Sequence, residues 1–165
     1  MEAKRMDPGW KVENMRYATV RSFYRGKYEI TQKQFEEVMG YNPSLEKGDD
    51  LPVEYVNWYD AAMFCDKLSE REGYTKFYNL TDVVEKPAGT HSGKIESATI
   101  NIDYRATGYR LPTNAEWEYA ANGGAEQAAI ELFRFAGSND IEKVAWYRDN
   151  SGDKVHPVGQ KDPNT

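Results

Sequence analysis

Gly108-Tyr109-Arg110-Leu111-Pro112-Thr113-Asn114-Ala115-Glu116-Trp117-Glu118-Tyr119-Ala120-Ala121-Asn122-Gly123-Gly124 is the stretch whose reading decides the fold. Pro112 has no N–H to give a strand ladder and biases Leu111 toward extended backbone. Thr113 followed three residues later by Glu116 is a capping box, so the spacing predicts a helix that starts at Asn114. Its apolar residues Ala115, Trp117, Tyr119, Ala120 and Ala121 include the i, i+4 pair Trp117/Ala121, which makes Trp117 the expected core anchor. Asn122-Gly123-Gly124 offers residues able to take positive φ at the exit. Taken alone, the segment reads as a well-capped amphipathic helix.

Two further helices precede it. Thr31 and Gln34 form a second capping box, with Phe35, Val38 and Met39 on one face and Gly40 as the stop. Asn57 caps a helix over Trp58 to Arg71, with Asp60 in its first turn and Gly73 at its end. Ala61, Phe64, Cys65 and Leu68 make its apolar stripe, so Cys65 reads as an inert packing thiol and not as a nucleophile. Strand signals lie between the helices. Tyr17 to Tyr24 and Lys27 to Ile30, joined at Arg25-Gly26, predict a short hairpin. Lys76 to Leu80 and the alternating run Ser97 to Tyr104 predict a longer one, projecting over about 74–107, with a turn-rich tip at Lys86 to Gly93. Helices separated by hairpins imply an α+β fold, not a parallel α/β sheet.

The chain has 165 residues, enough for one domain, and its apolar fraction of 39% implies a modest core. Twelve tyrosines and four tryptophans imply that amphipathic rings fill much of it. A net charge of −6 disfavours nucleic-acid binding, which needs clustered basic surface. No run approaches the ~18 apolar residues of a membrane span, and the first thirty residues hold no apolar leader, so no signal peptide is expected. One cysteine excludes an intrachain disulfide and any Cys-x-x-Cys site. Glu46, Asp49 and Asp50 lack the spacing of a calcium loop and read as solvated. His91 reads as a solvated tip residue, since His156, the other histidine, has no acid or cysteine cluster at metal-ligand spacing. Asn79-Leu80-Thr81 fits a glycosylation tripeptide, a pattern frequent by chance.

The run Arg110-Leu111-Pro112-Thr113, then Ala115 to Ala121, then Gly123-Gly124, resembles the signature of the formylglycine-generating enzyme family, also called sulfatase-modifying factors. Asn114 stands where the family often has Glu, and Asn122 where it often has Arg. Further matches run in order: Phe23-Tyr24, Gly26 to Thr31, Val53, Val56, Trp58, Asp60-Ala61, Phe64-Cys65, Leu68-Ser69, Trp146-Tyr147, Asn150-Ser151-Gly152 and His156-Pro157-Val158-Gly159. The resemblance implies the family's C-type-lectin-like α+β fold over 17–165 after a polar lead-in at 1–16, with the hairpin at about 74–107 as an insertion. It also implies a domain incomplete at the C-terminus, because the family continues through a Gly-Asn-x-Trp-Glu-Trp and an Arg-Gly-Gly-Ser-Trp segment. There lie the two redox cysteines that bind copper, and one calcium site. A second calcium site has lost a ligand, as Val144 stands where Asn is expected. The resemblance therefore implies no catalytic, cofactor-binding or metal-ligating residue here, and leaves Arg110, Leu111, Pro112, Thr113, Glu116, Trp117 and Glu118 as a structural motif.

Two functions follow. The first is a noncatalytic binding or structural module, with an unidentified protein or small-molecule ligand, no nucleic acid and no membrane span, and with self-association through surface left uncovered. The second is the N-terminal portion of a copper-dependent oxidoreductase that converts a sulfatase cysteine to formylglycine. Members of the family are often exported.

Overall fold

The computed structural model describes residues 2–4, 17–87, 93–124 and 133–164. Most of the lead-in, the tip with His91, and most of the segment Glu126 to Phe135 lie outside them. The described chain is a mixture of short helices and two antiparallel two-stranded sheets, an α+β arrangement. It forms two compact units, one of Gly26–Leu111 with Val155–Val158, the other of Met1–Arg25, Pro112–Lys154 and Gly159–Thr165.

The first unit holds α1 (Gln32–Met39), α2 (Trp58–Arg71), β3 (Leu80–Glu85) and β4 (Ile95–Ile100). Both helices start where their caps predict, because Thr31/Gln34 and Asn57/Asp60 each satisfy N–H groups reciprocally in a capping box. Gly40 ends α1 with φ 81°. The apolar stripes meet: Phe35, Met39 and Phe64 form one buried cluster, with the Phe35 and Phe64 rings stacked at 5.5 Å. Ala62, Cys65 and Tyr78 form a second, against which Leu80, Ile100 and Leu111 pack.

Buried polar side chains hold the loops to these helices. Gln32, fully buried, donates to the carbonyls of Glu46 and Pro52 while its own oxygen accepts from Asn42 and from the Gly48 N–H. The acidic loop is therefore pinned by backbone. Its Asp49 and Asp50 carbonyls accept from Lys33 and Val158, and the Glu46 carboxylate accepts the Val155 N–H.

Two sequence-based expectations about strands need correction. The hairpin between Tyr17–Tyr24 and Lys27–Ile30 does not form. Strand β2 (Tyr17–Thr19) pairs instead with β1 (Glu2–Lys4), Glu2 opposite Thr19. Ile30 turns to the loop before α2, accepting the Val53 N–H at 2.9 Å, and Thr31 bridges to Pro52. The second hairpin is real but shifted toward its tip: Leu80 pairs with Ile100 and Glu85 with Ile95, with a bulge between. Lys76 to Asn79 stay outside it because Asp66 takes the Tyr78 and Leu80 N–H groups, and Asn79 sits at φ 46°.

The second unit contains β1, β2, α3 (Asn114–Ala121) and α4 (Ile141–Val144). Helix α3 begins at the predicted residue, with the Thr113/Glu116 box in place. Trp117, however, is not core: it is 63% exposed, and no residue of α3 is buried. Spacing identified an apolar face but carried no information on what covers it. The helix end is held differently. Asn164 Nδ2 donates to the Ala120 and Ala121 carbonyls at 2.5 and 3.2 Å, capping acceptors that a C-terminus leaves open. Reciprocal hydrogen bonds of Phe135 and Ser138 close a turn over Ala136 and Gly137.

Candidate functional site

Asp60 lies at the third position of α2, and its carboxylate is fully buried. One acid there gathers three segments. It accepts from the N–H groups of Asn57, Lys94 and Ile95 and from Tyr41 Oη, all at 3.0–3.1 Å. Burial, then the Asp60 charge beside it, pushes the Tyr41 hydroxyl above the ordinary tyrosine range. Gly93 is compulsory at this junction: a Cβ there would stand 2.3 Å from Asp60 Oδ2. Among the described residues four groups donate to the acid, and the arrangement fixes the hairpin to α2. The Asn57-x-x-Asp60 spacing showed the cap in the sequence, but nothing local showed the partners thirty-four and thirty-five residues on.

Cys65, on the same helix, is 8% exposed. Burial, and secondarily Asp66, pushes its thiol up to about 12, so almost none is thiolate at neutral pH. The next turn of α2 is tied to the start of the signature stretch. Ser69 Oγ donates to the Cys65 carbonyl at 2.7 Å and accepts the Tyr109 N–H at 2.8 Å. Gly108 lies so close to Ser69 that a Cβ would fall 2.3 Å from its oxygen.

The residues of the signature separate at Leu111/Pro112, where one unit ends and the other begins. On the first side, Leu111 donates its N–H to Tyr78 Oη at 3.0 Å and packs on the Cys65 cluster, while the Arg110 guanidinium lies 5.8 Å over the Phe77 ring. On the other, Thr113 and Glu116 close the cap and Glu118 accepts the Asn122 N–H, while Pro112 and Trp117 face outward.

What the sequence did not reveal is a run of rings on the first unit. Trp58 packs edge-on to Tyr59 at 5.6 Å and to Tyr78 at 5.3 Å; Tyr78 meets Phe77 at 4.9 Å, and Phe77 meets Tyr104 at 5.8 Å. Trp58 is 46% exposed and Tyr104 83%, so the run is buried at its middle and open at its ends. Aromatic count was the sequence signal, but adjacency of residues 58, 77 and 104 is tertiary. Rings of this kind carry much of the energy of binding surfaces. Among the described residues no group of three His, Cys, Asp or Glu is placed to hold a metal ion, and no helix is long and apolar enough to cross a membrane.

Short helices on paired strands, with the Arg110-to-Gly124 signature opening a capped helix, define a protein of the sulfatase-modifying-factor class. The chain belongs to the sulfatase-modifying factor enzyme 1-like domain family, whose profile matches residues 3–165. It is 45% identical over 136 residues to a protein of Paenibacillus barcinonensis named chaperone protein LppX, covering 82% of this chain and 48% of that one. Among solved structures it resembles Treponema denticola variable protein 1, with 31% identity and a TM-score of 0.77 over 99% of this chain and 64% of the other. The crystal structure of CarF is similar at 26% identity and a TM-score of 0.63, over 84% and 60% of the two chains. The chain thus spans about half the length of the curated relative and under two thirds of these solved chains.

Proposed function

We propose that the chain is a noncatalytic module of the sulfatase-modifying-factor type that binds a polypeptide partner. The observation that carries this reading is Cys65: the chain's one cysteine is buried and its thiol is pushed up to about 12, which leaves no nucleophilic thiolate to work with. The open ends of the aromatic run support a binding role, and the name chaperone given to the Paenibacillus relative points to a polypeptide as the thing bound. The test is light scattering of chemically denatured citrate synthase diluted into buffer with and without the purified chain. Suppression at near-equimolar ratio is expected, weakened by Trp58→Ala and Tyr104→Ala; scattering unchanged by the chain would sink the reading.

A second reading, an N-terminal portion of a copper-dependent formylglycine-generating oxidoreductase, is favoured by the chain's coverage of only 48–64% of its relatives. Its test is mass spectrometry of a Cys-x-Pro-x-Arg peptide incubated with the chain, copper(I) and oxygen. No aldehyde is expected; turnover lost on Cys65→Ser would overturn the assignment of that thiol as inert.

A further inference from the structure

The second unit holds a cavity of about 350 Å3 beside the end of α3, lined by Arg21, Phe23, Arg25, Tyr119, Ala120 and Asn164 among others. Its volume lies at the lower end of the roughly 300–1,000 Å3 of small-ligand sites. Among the described residues two arginines line it and no carboxylate does, in a chain whose net charge is −6. Arg21 makes no ion pair or hydrogen bond among the described residues. Arg25 is held in place by Asn164, whose Oδ1 accepts from its Nη2 at 3.3 Å. The carbonyls at a helix C-terminus repel anions, but here the Asn164 amide covers those of Ala120 and Ala121. The Phe23 and Tyr119 rings, 6.4 Å apart and tilted by 59°, give the cavity an aromatic wall.

We propose that this cavity binds an aromatic carboxylate, its ring on Phe23 and Tyr119 and its carboxylate on the guanidinium groups of Arg21 and Arg25. A guanidinium offers a planar pair of donors that matches a carboxylate, and an aromatic wall selects a flat apolar body. The same chemistry comes from a free aromatic acid or from the C-terminal Phe or Tyr of a polypeptide. Only the second source rests on the polypeptide-binding reading above.

Isothermal titration calorimetry of the full chain decides it, with four probes. Two carry the carboxylate: 4-hydroxyphenylacetate and N-acetyl-Gly-Gly-Phe. Two lack it: 4-hydroxyphenylacetamide and the amidated form of the same peptide. Saturable binding of one or both carboxylates is expected, about tenfold or more tighter than their partners without the charge, and about tenfold weakened by Arg21→Gln. Arg21 is exposed and has no partner among the described residues, so the Arg21→Gln thermal midpoint should match the parent's, which separates lost binding from lost folding. Binding of the free acid alone assigns a small-molecule site, and binding of the peptide assigns a terminus. Failure of both carboxylates to saturate at millimolar concentration, equal binding of the uncharged partners, or an Arg21→Gln chain that binds like the parent would overturn the proposal. A chain that takes up 4-hydroxyphenylacetate yet leaves citrate synthase aggregation unchanged would sink the polypeptide-binding reading and leave this site standing.

Discussion

Single residues decide the packing around α2. Gly93 and Gly40 both sit at positive φ, 79° and 81°, but a Cβ at Gly40 meets nothing within 4 Å while one at Gly93 collides with Asp60 and Asn57. Gly40→Ala should cost only the left-handed penalty of roughly 1–2 kcal/mol, and Gly93→Ala should add about 1–3 kcal/mol of overpacking. Urea midpoints of the two variants measure the difference; equal midpoints would mean that the hairpin junction yields without strain. Cys65 gives a second test. Its folded thiol titrates near 12 against an ordinary value of 9.0, so the stability that burial contributes is complete below pH 9 and is lost as pH rises toward 12. At pH 8 iodoacetamide should leave the native chain unlabelled and modify one thiol per chain after unfolding.

At the scale of elements, caps were legible and coverings were not. Thr31/Gln34, Asn57 and Thr113/Glu116 each mark a helix start in the sequence, and all three helices begin there, because a cap is settled within four residues. Strand pairing is settled at a distance: nothing in Tyr17–Thr19 names Glu2–Lys4 as its partner, and nothing in Trp117 says that its face of α3 stays open. The exposure sets the ranking of two substitutions. Thr113→Ala should cost about 1 kcal/mol, while Trp117→Ala should fall within about 0.5 kcal/mol of the parent, as surface changes do. A Trp117→Ala midpoint several times more damaging would show that the side chain is covered in solution. Helix α4 offers a pH test. Hydrogen bonds from Tyr147, then Asn150, hold the Glu142 carboxyl below its ordinary range. A depressed carboxylate contributes stability above the ordinary glutamate pKa and loses it as pH falls through the folded one. Acid titration of the Asn150 side-chain amide resonance should therefore show a transition below that of a free glutamate, absent in Glu142→Gln.

Across the whole molecule the buried residues are unevenly shared. Phe35, Met39, Phe64, Cys65, Tyr78 and Ile95 all belong to the unit around α1 and α2, whereas the other unit buries Val20 alone among its described residues. Local opening free energy follows buried apolar contact. Hydrogen exchange followed by mass spectrometry should find the slowest amides in α1, α2 and at Lys94 and Ile95, and faster exchange throughout α3 and α4. Uniform protection would mean that the sparse unit gains its stability from something other than its own core. The candidate binding features divide the same way, with the aromatic run in the core-rich unit and the arginine-lined cavity in the other.

The grip of Asp60 on the hairpin also sets how this gene can drift. A carboxylate that holds main-chain N–H groups is blind to the side chains those groups carry. Codon 93 must spell glycine, for want of space. Codon 94 is held by Asp60 only to a residue with an N–H, anything but proline, since the acid takes the Lys94 N–H and leaves its exposed side chain to a separate ion pair with Glu85 at 3.1 Å. Codon 95 must supply both an N–H and an apolar body, because Ile95 is buried as well as bonded. Three neighbouring codons answer to three different rules, all written by one acid thirty-odd residues upstream.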